Sequence, residues 1–171
     1  IGSDLWSNEP GFVESLGDTA VTGVCGSGII EVIGEMYLSG IIDQDGVVRG
    51  ELTSKSPRIV GDDRTFSYLF YDNGETKLYV TQNDVRAIQL AKAALRAGID
   101  LLVEHAGSPI VHDIRLAGAF GAHIDPVYAM VLGLVPDCPV AGVRAVGNAA
   151  GAGAVQSLLS RKLRHEMEDA V

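Results

Sequence analysis

Residues 113–132 read DIRLAGAFGAHIDPVYAMVL, a short strand, a glycine turn and the start of a helix. The strand is expected over 113–117. Leu116-Ala117-Gly118-Ala119-Phe120-Gly121 then ends it in G-A-F-G, where Gly118 and Gly121 would let a flat ligand or a phosphate approach the main chain closely. A strained turn capped by Asp125 is the competing reading. Pro126 suits the first turn of a short helix over 126–132, because the amide it lacks would go unpaired there anyway.

Working outward, the same alternation continues on both sides. Upstream, Thr81-Gln82-Asn83-Asp84 resembles a capping box with Asp in place of the usual Glu. It opens a helix expected to reach His105, with Val85, Ile88, Leu95, Ile99 and Leu102 on one face. Before it, runs at 66–71 and 77–81 flank Asp72-Asn73-Gly74, the strongest hairpin signal in the chain. Downstream, a strand is expected over 143–146 and a closing helix over 149–168. From Asn73 onward the order is strand, helix, strand, helix, strand, helix, which predicts an α/β layer with a mixed sheet. Nearer the start, a short strand at 19–24 leads to a helix at 29–38 that stops at Gly40. An Asp45-Gly46 turn lies between Ile41-Ile42 and Val47-Val48. Residues 1–20 read as irregular or edge structure, 21–160 as the motif-bearing core, and 161–171 as the end of the terminal helix. Together, 1–171 form one domain.

Composition narrows the function classes. The 171 residues are 47% hydrophobic and 20% charged, too apolar for a disordered tail. The net charge of −9 and pI of about 4.8 argue against general binding to nucleic acid or an anionic membrane, which needs clustered Lys and Arg. Two distant cysteines, Cys25 and Cys138, exclude a disulfide framework or a Cys-rich zinc site and fit a reducing compartment. No apolar run reaches the length of a membrane span, so a cytoplasmic protein is expected. His105, His112, His123 and His165 lack metal-ligand spacing and read as surface or loop residues.

Glycine is 21 of 171 residues, about 12% against a usual level of about 7%. It clusters at 23–28, 118–121 and 147–153. The first cluster, with Cys25-Gly26-Ser27-Gly28, would present backbone N–H groups at a helix start, where the dipole favours an anion. Tight packing alone explains it equally well. Cys25 itself reads either as a reactive thiol or cluster ligand or as a small buried residue. The third cluster suits close helix packing. On the long helix, Gln89, Lys92 and Arg96 border the apolar stripe, as ligand-reaching groups or as snorkelling side chains. The charges of 161–168 read as a solvated face with Lys162–Glu166 and Arg164–Glu168 pairs.

Four of these stretches, in order, resemble the ATP-dependent reductive activators of corrinoid proteins, relatives of the acetate and sugar kinase, heat-shock chaperone and actin superfamily. They are Cys25-Gly26-Ser27-Gly28-Ile29-Ile30, Thr81 to Ala94, Leu116 to Gly121 with Ile124-Asp125-Pro126, and Val146 to Ala154. The resemblance implies a ribonuclease-H-like lobe of the sugar kinase/actin-type ATPase fold, its mixed sheet flanked by helices. Gly118, Ala119, Phe120 and Gly121 match the motif whose backbone lies against the adenosine. Gln89, Lys92 and Arg96 sit where related chaperones lay a helix over adenine and ribose. The 147–153 run matches a connecting motif at the hinge. The superfamily's D-x-G-T-T phosphate loop is absent, as are the four ferredoxin cysteines.

The chain is therefore read as the C-terminal lobe of a longer protein, inactive alone and sharing ATP with Mg²⁺ with a missing lobe. The intact parent would carry a [2Fe-2S] cluster and reduce a Co(II) corrinoid protein in methyl-transfer metabolism. A corrinoid protein and a second copy, as homodimer, are the expected partners. Two rivals stand beside this reading. One is an NAD-dependent oxidoreductase built on 23–28, with Asp43 or Asp45 on the ribose. The other is a non-catalytic dimerisation or interaction lobe.

Overall fold

The computed structural model describes residues 10–11, 14–15, 20–61 and 64–169. Most of the expected irregular segment at 1–20 lies outside them. Helix α1 spans Gly26–Leu38 and is followed by a 3₁₀ turn at Gly50–Ser54. Strands β1 (Ile59–Gly61), β2 (Phe66–Asp72) and β3 (Lys77–Thr81) lead into α2 (Gln82–His105). Then come β4 (Ile114–Ala117), a four-residue helical turn α3 (Gly118–Gly121) and α4 (Pro126–Val131). A 3₁₀ turn at Val140–Gly142 precedes β5 (Val143–Gly147), α5 (Ala149–Leu159) and α6 (Arg161–Asp169).

Among the described residues the strands form two sheets rather than the mixed sheet expected. β1-β2-β3 is antiparallel, and β4 pairs with β5 in parallel. The β2–β3 hairpin closes where the Asp-Asn-Gly signal put it. Asp72 Oδ1 accepts from the Gly74 amide at 2.9 Å, and Asn73 Oδ1 from those of Glu75 and Thr76 at 3.1 and 2.7 Å. Such side-chain turns let Asp and Asn hold a tight reversal. The capping box is also present. Thr81 Oγ1 accepts from Asp84 N at 3.2 Å while Asp84 Oδ2 accepts from Thr81 N at 2.8 Å, which starts α2 as the strand ends.

The core lies where α1, the 42–48 loop, the antiparallel sheet, the first turns of α2 and α4 meet. Met36, Val48, Val80 and Val85 are fully buried there, among Ile30, Ile33, Ala129 and Leu132. Each such aliphatic side chain contributes about 1.5–3 kcal/mol of transfer free energy. Ile42 bridges Val48 across the Asp45-Gly46 turn, and Gln82 holds that loop. Its Oε1 accepts from Val48 N at 2.9 Å and its Nε2 donates to Gly46 O at 2.7 Å.

Three further expectations are corrected. Residues 20–25 form no strand. They run irregularly into α1, so the first glycine cluster is not a strand-to-helix turn. β1 and the two 3₁₀ turns were not foreseen. The closing helix is broken at Ser160, whose extended backbone (φ −130°, ψ 117°) separates α5 from α6. The apolar stripe of α2 is only half used. Val85 is buried and Ile88 and Ile99 half-buried, but Leu95 and Leu102 are 50% and 71% exposed. Among the described residues nothing covers that end.

Candidate functional site

Two glycine turns meet at the carboxyl edge of the parallel sheet. β4 runs directly into Gly118 (φ +94°), and β5 ends on Gly147 (φ +66°). Gly147 is the register partner of Ala117, one residue before Gly118. Both backbones take the left-handed conformation that glycine adopts at little cost. At both, the space a side chain would occupy is open for 4 Å. Ligands of open α/β sheets bind outside the carboxyl ends of parallel strands, where backbone amides and helix starts converge.

The surrounding loops are held by short side-chain bonds. Asp125 Oδ1 accepts from Val127 N at 2.7 Å to cap α4. Asn148 Oδ1 accepts from Gly151 N at 2.9 Å to cap α5. Gly121 is buried, and a Cβ there would sit 3.2 Å from the Leu116 carbonyl carbon. In the 147–153 run, helix packing is slight. A Cβ on Gly153 would lie 3.8 Å from a Met167 methyl, an ordinary contact, and one on Gly147 would meet open space. Sequence reading gave Gly147 a packing role. The glycine before an Asn N-cap at a strand end was the signal for a second open turn.

The first glycine cluster comes to the same place. A Cβ on Gly26 would lie 2.5 Å from a ring carbon of Phe120, so 25–28 and 118–121 touch through that ring. Phe120 is 52% exposed. Cys25, also exposed, caps α1 by accepting from Gly28 N at 3.4 Å, and its sulfur lies 3.3 Å from Ser27 Oγ. The Ser27 hydroxyl first, then the Gly28 amide, hold the thiol below its ordinary pKa, as hydrogen bonds to a thiolate do. Gly28 sits with the Val24 side chain in its Cβ space. Further along α1, burial and then the charge of Asp125 raise the pKa of Glu31. The Tyr128 hydroxyl donates to Glu35, and that bond and burial push Tyr128 up to about 12.

The polar residues of α2 are engaged elsewhere. Gln89 donates to Asp45 O at 3.0 Å and accepts from Arg86 at 2.8 Å. Lys92 donates to Leu132 O at 2.8 Å, and Arg96 to Asp100 at 2.8 Å and Val135 O at 3.4 Å. These bonds tie α2 to the 42–48 loop and to the segment after α4. Gln89 and Lys92 line a cleft of about 130 Å³ with Tyr37 and Leu132, and Gly118–Gly121 are not in its lining. The four histidines are exposed. Lys162 pairs with Glu166 at 3.7 Å as expected, but Arg164 turns back to Ser157 O at 2.9 Å instead of pairing with Glu168. Among the described residues no cluster of His, Cys, Asp and Glu suits a metal ion.

Comparison with known proteins gives the chain a family. Residues 7–171 match the family described as the C-terminal domain of RACo, the ASKHA domain. The chain belongs to this family. A curated relative, the corrinoid activation enzyme RamQ of Eubacterium limosum, is 39% identical over 158 residues, 86% of this chain and 27% of that protein. A solved structure of a reductive activator for a corrinoid iron-sulfur protein superposes with TM-score 0.75 at 28% identity, over 86% of this chain and 24% of its own. This ASKHA domain thus spans about a quarter of the length of those relatives. It has the actin-like ATPase α/β fold, with helices flanking both sheets. No helix among the described residues is long and apolar enough to cross a membrane.

Proposed function

We propose that this ASKHA domain is the adenosine-facing lobe of an ATP-dependent activase that returns a Co(II) corrinoid protein to its active, reduced state. The observation that carries the reading is the open edge where Gly118 and Gly147 lie side by side, left-handed and without side chains. Any Cβ at either position would stand in the space a flat base or sugar needs against the main chain. The family match and the names of the two relatives supply the class of reaction. Gly118, Ala119, Phe120 and Gly121 would hold the nucleotide through their backbone, with Gly147 beside them and Gly26, Ser27 and Gly28 behind Phe120. ATP with Mg²⁺ supplies binding energy that favours a closed arrangement of two lobes, the other lying outside this chain. A [2Fe-2S] cluster in the parent would supply the electron, and a corrinoid protein would receive it.

Gln89, Lys92 and Arg96 enter this reading as braces. Their donors are used on carbonyls and on Asp100, so reaching a nucleotide would first cost those bonds. The dinucleotide alternative is weakened by the irregular backbone at 20–25, because that fingerprint opens a helix directly after a strand. Asp43 is also occupied, its Oδ1 accepting from Asp45 N and Val47 N at 2.9 Å each.

Calorimetric titration of Mg-ATP into the full-length protein tests the proposal, with NADH as the control ligand. Binding of ATP, weakened at least about tenfold by Gly118→Val or Gly147→Val, is the expected result; tenfold corresponds to about 1.4 kcal/mol. Silence with ATP, or heat with NADH alone, would refute it.

A further inference from the structure

The segment that starts with the glycine turn lays two aromatic rings on α1, each over a glycine. A Cβ on Gly26 would lie 2.5 and 2.6 Å from two ring carbons of Phe120, and a Cβ on Gly34 would lie 2.5 Å from one of Tyr128. The notches are eight residues apart, about 12 Å along the helix. α1 therefore receives one aromatic ring near each end of the stretch from Gly118 to α4.

The two seats differ in how firmly they are held. At the Gly34 end the Tyr128 hydroxyl is bonded to Glu35, Ala129 beside it is buried, and Ile30, Ile33 and Met36 fix the helix in the core. At the Gly26 end Phe120 is half-exposed, and it meets the helix at the residue next to the Cys25 cap. With no Cβ on Gly26, the Phe120 ring lies directly on the backbone of the first turn of α1, while the rest of that helix is held by the core.

We infer that Phe120 is a positioning residue coupling the Gly118–Gly121 turn to the N-terminal turn of α1, so that occupancy of the glycine turn is registered at Cys25. The Tyr128–Gly34 seat is the fixed end of the joint. The inference rests on the nucleotide reading above only for the identity of the occupant.

The test follows alkylation of Cys25 by iodoacetamide in the full-length protein, resolved peptide by peptide by mass spectrometry. It is run without nucleotide and with Mg-ATP at saturation, the occupancy being checked by calorimetry. A change of about fivefold in the Cys25 rate on saturation is expected, the lower range of coupling between sites. Phe120→Tyr, which keeps the ring, should keep that change, and Phe120→Ala should abolish it. Without ligand, Phe120→Ala should already alter the rate. Bound nucleotide with an unchanged Cys25 rate in the wild type overturns the coupling, as does an equal change in wild type and Phe120→Ala. If no nucleotide binds, the functional reading fails by itself. The joint is then judged on the unliganded proteins, and equal rates there overturn it. Should Phe120→Ala unfold, Gly26→Ala displaces the same ring and must show the same loss.

Discussion

The hairpin half of this domain and its glycine half are built to different standards of closure. In the first, α1, the antiparallel sheet, the start of α2 and α4 bury Met36, Val48, Val80 and Val85 almost completely. In the second, a two-stranded parallel sheet carries the edge proposed to bind nucleotide, and Leu101, Leu102, Leu158 and Leu159 are all more than 60% exposed. Two parallel strands are a meagre sheet, since parallel sheets are ordinarily covered on both faces. The first half supplies the stability. The second is seated on the first through Ile114 and Leu116 of β4, which pack against the core, and through the Phe120 ring on Gly26.

Core truncation separates the halves most sharply. Met36→Ala should cost about 2–5 kcal/mol, read from the denaturant midpoint at constant slope, whereas Leu102→Ala should stay within about 0.5 kcal/mol. Comparable losses at both would mean the glycine half has a core of its own. A smaller contrast lies within α1. Gly34→Ala should cost about 1–3 kcal/mol by overpacking against Tyr128, and Gly26→Ala clearly less, because the half-exposed Phe120 can swing outward. Equal costs would show both rings to be fixed. Thr81→Ala, which removes the capping box between β3 and α2, should cost about 1 kcal/mol and leave nucleotide affinity unchanged.

Much of the hairpin half was legible in the sequence, since its signals are local. Asn73-Gly74, the Thr81/Asp84 box and Pro126 each act on neighbours within four residues. The glycine half was legible as motifs but not as an arrangement. That Gly147 lies beside Gly118 depends on the pairing of β4 with β5, and that Phe120 seats on Gly26 depends on a contact 94 positions apart in the chain. Gln89, Lys92 and Arg96 were read from one helix face, and only the fold brings the carbonyls of Asp45, Leu132 and Val135 within their reach. The exposed stripe on α2 misled for a related reason: periodicity says which face is apolar, not which residues this chain provides to cover it.

The smallest effects are in the titrations. Tyr128 is raised from 10.0 to about 12 by its bond to Glu35, so the stability it lends is complete below pH 10 and is lost as pH rises toward 12. The melting-temperature gap between wild type and Tyr128→Phe should therefore close over that interval, and a gap constant to pH 12 would remove the bond from the account. Cys25 is shifted the other way, by the Ser27 hydroxyl and then the Gly28 amide. Its alkylation rate should rise with a midpoint below the ordinary 9.0, and Ser27→Ala should move that midpoint upward.

Hydrogen exchange on the full-length protein, with and without saturating Mg-ATP, most directly tests where the nucleotide lies. Protection should appear at 117–122 and 147–152 and be absent from the 66–81 hairpin. Protection at the hairpin with none at the two glycine turns would contradict the assignment of nucleotide binding to the carboxyl edge of β4 and β5.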